Sequence, residues 1–183
     1  MTRPEAWSLL NEFTKADGLI KHALSVEAGM RAYAPRFDGD VETWGITGLL
    51  HDFDYERWPD PADHPIRGSE VLRERGCPEE VIYAIKSHAT YLGLPRRTAL
   101  DKSLFSVDEL TGMITATALV QPTRSLTGLK PESVLKKMKS KGFARSVNRE
   151  DIVNGAADLG VELKEHIEFV ITAMQGIASQ LGI

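Results

Sequence analysis

The chain has 183 residues, of which 42% are hydrophobic and 26% charged, and these values are ordinary for one globular domain. A single cysteine excludes a disulfide framework and a cysteine-based zinc site, and no apolar run reaches the ~18 residues of a membrane span. The net charge of −4 does not favour a general nucleic-acid partner, and the first residues lack a signal-peptide pattern, so we expect a cytoplasmic protein.

Apolar residues recur at intervals of three and four along most of the chain, whereas strand-like alternation is scarce. The spacing therefore predicts an all-α fold that forms a single domain over residues 1–183. The first helix opens at Pro4, and the later predicted helices cover residues 19–33, 40–52, 64–76, 78–94, 98–120, 131–140, 149–159 and 163–181. Gly45 and Gly48 weaken the third of these, because each glycine costs ~1 kcal/mol in a helix interior.

Four of the five histidines lie on apolar helix faces: His22, His51, His64 and His88. Two acids share such positions, since Asp52 directly follows His51 and Asp108 lies four residues after Leu104. One inward histidine alone is more often a core residue with a single hydrogen bond. The combination of several inward histidines with two inward acids is harder to explain in this way.

Burying an unpaired carboxylate costs several kcal/mol, and no Lys or Arg lies in an obvious pairing position on these faces. A divalent cation would compensate both acids and would also accept the imidazoles. Ligands that come from separate helices would meet only in the middle of a bundle. The pattern therefore predicts a metal centre inside the bundle.

The order His … His-Asp … Asp resembles the signature of the HD-domain superfamily of metal-dependent phosphohydrolases, whose fold is an all-α bundle. Leu49-Leu50-His51-Asp52 is similar to the defining HD element, His22 to the first histidine of the family and Asp108 to its last aspartate. The resemblance covers roughly residues 19–120, and we expect the helices of residues 131–183 to pack on that core.

His64 and His88 resemble the additional histidines of the HDIG-type branch. The resemblance implies that His22, His51, Asp52 and Asp108 hold one metal ion, and that Asp52 bridges to a second ion held by His64 and His88. Mixed imidazole and carboxylate ligands suit Mn, Fe, Co, Ni or Zn better than Ca, so we expect one or two divalent transition-metal ions. The sequence departs from the branch at Asp54 and Tyr55, where glycine and commonly lysine are found.

The resemblance further implies hydrolysis of a phosphomonoester or phosphodiester by a metal-activated water, with Asp52 as the catalytic residue that orients it. The expected substrate is a nucleotide or another small phosphate ester. Arg67, three residues after His64, and Arg57, in the loop after the HD element, are candidates for contacting the phosphate. For each arginine the alternative is an ordinary surface residue.

Residues 130–149 carry seven basic side chains and one Glu, so their local charge is 7 − 1 = +6. A solvated helix face explains this better than a binding surface, although the segment could steer a polyphosphate or a nucleic acid. His166 lies among Glu162, Glu165 and Glu168, and we predict a surface position for it. The apolar stripe of residues 163–181 is expected to close the core, with a helix-mediated dimer as the alternative.

Two other functions remain open at this point. Some HD-domain relatives use two iron ions to activate O₂, and a histidine-rich second site would permit a di-iron oxygenase. A non-catalytic module that senses a nucleotide is the third hypothesis. A module without catalytic activity would not need to keep both metal positions, so the intact set of candidate ligands argues against this hypothesis.

Overall fold

The computed structural model describes all 183 residues, and its regular elements are all helices. The predicted all-α fold is therefore confirmed. The ten α-helices are α1 (Arg3–Phe13), α2 (Asp17–Tyr33), α3 (Val41–Leu50), α4 (Ile66–Glu74), α5 (Glu79–His88), α6 (Ala99–Leu119), α7 (Pro131–Met138), α8 (Arg149–Leu159), α9 (Leu163–Gln175) and α10 (Ala178–Leu181). Two 3₁₀ helices, Ala34–Phe37 and Thr90–Leu92, follow α2 and α5.

Several helices begin at a polar residue that caps their first turn. The Thr2 and Thr98 hydroxyls accept from the backbone N–H groups of Glu5 and Asp101, and those two acids accept from the cap backbone in return. Asp40 caps α3 with its carboxylate, which accepts from the backbone N–H of Thr43. Such caps satisfy N–H groups that have no partner inside a helix, and thereby set where each helix begins.

The long helix α6 forms the centre of the bundle and packs against α2, α5, α8 and α9. Two glycines permit close helix crossings. A Cβ on Gly48 of α3 would lie 2.9 Å from the Val26 carbonyl oxygen of α2, and one on Gly155 of α8 would lie 2.6 Å from Ser106 Cα of α6. Gly48 therefore has a packing reason to stand in a helix interior, because any side chain there would separate α2 from α3.

One cluster of 38 buried hydrophobic residues extends from Ala6 to Leu181. Within it, α9 packs on α2 and α6, while α8 packs along α6. The helices of the C-terminal third thus share their core with the helices that carry the HD-like motifs. No helix in the protein combines the length and the apolar character that crossing a lipid bilayer requires.

Three predicted helices differ clearly from the structure. The helix predicted over residues 78–94 ends at His88, where the backbone of Ala89 turns extended, and the separate 3₁₀ helix Thr90–Leu92 follows it. Helix α4 begins at Ile66 instead of residue 64, since the residue before a proline is disfavoured in helical conformation and His64 precedes Pro65. The predicted helix over residues 163–181 is divided at Gly176 into α9 and α10, because glycine is a poor helix former.

The prediction that His166 lies on the surface is wrong. Its side chain is 1% exposed, Nδ1 accepts from the Tyr33 hydroxyl at 2.6 Å, and Nε2 donates to the Ser106 carbonyl at 2.9 Å. Burial lowers the pKa of His166, so the neutral form is favoured. His166 lies three residues after Leu163 and four before Val170, so the apolar spacing of α9 contained the signal for its burial.

Candidate metal centre

The six predicted ligands come from separate parts of the bundle and lie together in two neighbouring clusters. His22 lies on α2, His51 directly follows α3, and Asp52 lies in the next turn. His64 precedes α4, His88 is the last residue of α5, and Asp108 lies in the middle of α6. All except the fully buried His51 line a cavity of about 520 Å³.

The first cluster consists of His22, His51 and Asp108. His22 Nε2 lies 3.0 Å from Asp108 Oδ1 and 3.1 Å from His51 Nε2. His51 Nε2 lies 3.4 Å from the same Asp108 oxygen. The three candidate ligand atoms thus face one point, and this group could hold a metal ion.

The second cluster consists of Asp52, His64 and His88. Asp52 Oδ1 lies 3.3 Å from His64 Nε2 and 3.2 Å from His88 Nε2, while its Oδ2 lies 3.5 Å from His51 Nε2. Oδ1 of Asp52 therefore faces the two histidines of its own cluster, and Oδ2 faces His51 of the first cluster. A carboxylate in this position can bridge two cations.

In all four histidines, the nitrogen opposite the cluster has a partner in the protein. His51 Nδ1 and His88 Nδ1 lie against the carbonyls of Gly48 and Ile85, which can only accept, so both nitrogens donate. His64 Nδ1 lies 2.8 Å from an Asp54 carboxylate oxygen. His22 Nδ1 lies 3.3 Å from the Thr111 hydroxyl, which already donates to the Asp108 carbonyl and therefore accepts. In the neutral imidazoles, these bonds place the proton on Nδ1 and leave each Nε2 lone pair facing the clusters.

The resulting arrangement fits a metal better than hydrogen bonding among the site residues. Asp52 Oδ1 is buried and has no hydrogen-bond partner, although two imidazole nitrogens lie near it. His22 Nε2 and His51 Nε2 face each other at 3.1 Å with both Nδ1 atoms already acting as donors. Two facing lone pairs and an unpartnered carboxylate oxygen are stabilised by a divalent cation.

The electrostatics of the group indicate the same chemistry. Burial disfavours the charged form of His51, but the neighbouring Asp52 and Asp108 carboxylates raise its pKa well above the usual value. Burial likewise opposes ionisation of Asp52, yet His51 and the other imidazoles lower the pKa of Asp52 well below its ordinary range. The site thus favours positive charge beside two ionised acids, and a metal ion supplies such charge.

The remaining cavity wall is aromatic and acidic. Tyr55 packs edge-to-face on the His64 ring at 5.3 Å between centroids, and the Tyr91 hydroxyl donates to the His64 carbonyl at 2.7 Å. Glu109 lies beside Asp108, and burial together with that neighbour raises the pKa of Glu109 to about 7. Ser146 and Val147, from the basic segment of residues 130–149, form part of another wall.

The structure does not bring the two predicted phosphate-binding arginines to this cavity. Arg67 is half-exposed, and its Nε lies 2.8 Å from Asp63 Oδ1. The Arg57 guanidinium lies 4.4 Å from the centroid of the Phe13 ring. No Lys or Arg is among the side chains that line the cavity. Proximity in sequence to the HD element therefore did not translate into proximity to the ligand atoms.

Sequence reasoning also missed the residues that orient the histidines. Asp54 and Thr111 each contact the Nδ1 atom of a histidine, but neither was singled out as part of the site. Asp54 appeared only as a departure from the HDIG pattern. Thr111 lies three residues after Asp108, on the same face of α6, so helical spacing offered a signal for it.

The family model for the HD domain matches residues 19–113, which is more than half of the chain. The chain therefore belongs to the HD domain family, whose members are typically metal-dependent phosphohydrolases that bind divalent metals. The match contains all six cluster residues. Comparison with solved structures found no match.

Proposed function

We propose that the protein is a metal-dependent phosphohydrolase of the HDIG type, which cleaves a phosphomonoester or phosphodiester of a nucleotide or another small phosphate ester. The observation that carries the proposal is the pair of adjacent three-residue clusters, in which Asp52 of the second cluster also faces His51 of the first. A two-ion phosphohydrolase needs such a bridge, because both cations must act on one phosphoryl group.

His22, His51 and Asp108 would hold the first ion, His64 and His88 the second, and Asp52 would contact both. When bound, two such cations acidify a water molecule and neutralise the charge on the phosphoryl oxygens. The Asp52 carboxylate would orient that water, while the Nδ1 partners keep every imidazole in the tautomer that presents Nε2. Tyr55 and Tyr91 would pack against the organic part of the substrate, since both line the cavity.

The charge of the segment that forms part of the cavity wall supports an anionic substrate. Residues 130–149 carry a local charge of 7 − 1 = +6, and this segment supplies Ser146 and Val147 to the cavity wall. Lys141 and Arg145 of the segment are exposed. A basic segment beside a cavity raises the local concentration of anions and speeds their association.

The direct experiment is to load the purified protein with Mn or Co and to assay an aryl phosphate, a phosphodiester and a panel of nucleotides. We expect turnover of at least one class and no turnover after chelation. Asp63→Asn, a partly exposed acid outside both clusters, is the matched control for substitutions of the cluster acids. Absence of turnover for every class, in protein shown to contain both ions, would contradict the proposal.

The role of the basic segment can be tested separately. Exchanging Lys141 and Arg145 for Glu should raise KM for a phosphate ester by about tenfold at low salt, leave kcat unchanged and reduce the dependence on ionic strength. Arg75→Glu, outside both the segment and the cavity wall, is the control. An unchanged KM in the double variant would show that the segment does not steer the substrate.

One observation favours a second candidate, a di-iron oxygenase. The two clusters contain four imidazoles and two carboxylates, and no Lys or Arg lines the cavity to contact a phosphate. Imidazole and carboxylate ligands suit iron as well as manganese or zinc. O₂ consumption that requires iron, together with inactivity of the Mn- and Zn-loaded forms, would support this candidate and exclude the hydrolase.

A further inference from the structure

Asp54 is a buried carboxylate outside both ligand clusters. It lies two residues after Asp52, is 1% exposed, and forms no ion pair with a Lys or Arg. Its Oδ1 lies 2.8 Å from His64 Nδ1, and its Oδ2 accepts from the backbone N–H of Gly68 at 3.0 Å. Burying a carboxylate costs free energy, so these two contacts must stabilise Asp54 in its buried position.

The carboxylate contact at Nδ1 distinguishes His64 from the other three histidines of the metal centre. His64 has a carboxylate on both sides, with Asp54 at Nδ1 and Asp52 Oδ1 3.3 Å from Nε2. The Nδ1 atoms of the other three histidines lie against neutral carbonyl or hydroxyl oxygens. A carboxylate at Nδ1 makes an imidazole a stronger donor toward a metal and fixes its ring orientation.

The fold leaves space for Asp54 at one particular position of α4. A Cβ added to Gly68 would lie 2.5 Å from the Asp54 carboxylate, so any side chain there would displace it. Gly68 also provides the N–H that binds Oδ2. The carboxylate is thus held between the turn that carries Asp52 and the first turns of α4.

We propose that Asp54 is the positioning residue of the second ion site, where it keeps the proton on His64 Nδ1 and directs the Nε2 lone pair toward the ion shared with Asp52 and His88. The inference rests on the two-ion centre of the proposed function. It assigns a role to the position at which the sequence departs from the HDIG pattern.

The substitution Asp54→Asn separates this role from a general contribution to packing. Asn has nearly the same shape but only one carbonyl oxygen, and Gly68 N–H and His64 Nδ1–H both require an acceptor. If the Asn oxygen accepts from Gly68 N–H, the Asn NH₂ group faces His64 Nδ1. A donor at Nδ1 favours the tautomer with the proton on Nε2, and that tautomer has no Nε2 lone pair for a metal ion. The shape of the site is retained, whereas the tautomer is not.

The experiment is a titration of the full chain with Co²⁺, followed by visible absorption and by calorimetry. In Asp54→Asn the second ion should bind ~10–100-fold more weakly, as expected for loss of a partner of a metal-bound histidine, with the first ion unaffected. The control Asp63→Asn should bind both ions as the wild type does. A general loss of packing would weaken both sites, so the difference between the two ions is the decisive measurement.

Binding of both ions to Asp54→Asn with wild-type affinities would overturn the inference, as would wild-type protein that binds a single ion. If Asp54→Asn does not fold, Gly68→Ala decides, because it displaces the carboxylate without changing the charge. A weaker second ion in Gly68→Ala then supports the inference, and an unchanged one overturns it. Selective loss of the second ion, in protein that hydrolyses no phosphate ester when fully loaded, would leave the inference standing and defeat the proposed hydrolase activity.

Discussion

Buried histidines occur in two regions of this bundle, and the regions differ in how the ring nitrogens are used. At the junction of α2, α6 and α9, His166 accepts from Tyr33 and donates to Ser106, so both nitrogens have protein partners. In the metal centre, only the Nδ1 atoms have such partners, and the four Nε2 atoms face two carboxylates. Burial of an imidazole therefore does not identify a metal ligand, whereas a ring nitrogen that faces carboxylates and has no structural partner does.

The largest effect should come from breaking the bridge between the clusters. Asp52→Asn should lower turnover by more than about 10²-fold, because a neutral amide cannot compensate two cations that act on one phosphoryl group. The measurement is turnover together with the metal content of the chain by elemental analysis. A variant that retains both ions and full turnover would contradict the bridging role.

The corresponding substitution in the other region removes His166, the buried histidine that lies outside the metal centre. His166→Ala should lower the free energy of unfolding by about 3 kcal/mol, because it leaves a cavity and removes the partners of Tyr33 and Ser106. Urea unfolding measures this loss, and the metal content should stay unchanged. Loss of bound ions in folded His166→Ala would show that the two regions are not independent.

The two regions should also respond oppositely to pH. Burial lowers the pKa of His64, but Asp52 and Asp54 outweigh it and raise that pKa to about 9 in the metal-free protein. Because this value lies above the ordinary 6.5, the stabilisation by His64 is complete below that pH and is lost as the pH rises toward 9. Burial lowers the pKa of His166, so its stabilisation is instead lost as the pH falls below its ordinary value.

Metal binding should reverse the trend at the centre. A metal ion binds the neutral imidazole, so the affinity for the ion should rise with pH over the interval in which the metal-free protein loses stability. The increase should be up to about tenfold per pH unit for each proton that the ion displaces. Thermal unfolding with and without Mn, between about pH 6 and pH 9, measures both trends. Parallel curves for the two forms would contradict the assignment of the histidines as ligands.

The smallest effect concerns Glu109, which lies in the site region but belongs to neither cluster. Burial raises the pKa of Glu109 from 4.5 to about 7, so the folded protein binds a proton that the unfolded chain releases, and stability falls as the pH rises across this interval. Since the side chain is partly solvated, Glu109→Gln should stabilise the metal-free protein by about 1 kcal/mol near pH 8 and hardly at all near pH 4. Equal unfolding free energies of the two proteins near pH 8 would contradict this.

Much of the site could be predicted because it depends on local spacing. Inward histidines and acids follow from the periodicity of each helix, and the order of His22, His51, Asp52 and Asp108 is sufficient for the resemblance. The crossing of α2 and α3 at Gly48 could not be predicted, since the reason for a glycine there is a carbonyl 22 residues away in the chain, that of Val26. For the same reason Asp54 and the destinations of Arg57 and Arg67 were missed, because their partners are set by how loops fold back on the bundle.

The presence of two ions at the predicted positions can be measured most directly by anomalous diffraction from crystals of the Mn-loaded protein. We expect two peaks about 3.5–4 Å apart, one among His22, His51 and Asp108 and one between His64 and His88, with Asp52 in contact with both. Absence of a peak at either position after saturation with Mn, or peaks bound to other residues, would contradict the two-ion centre.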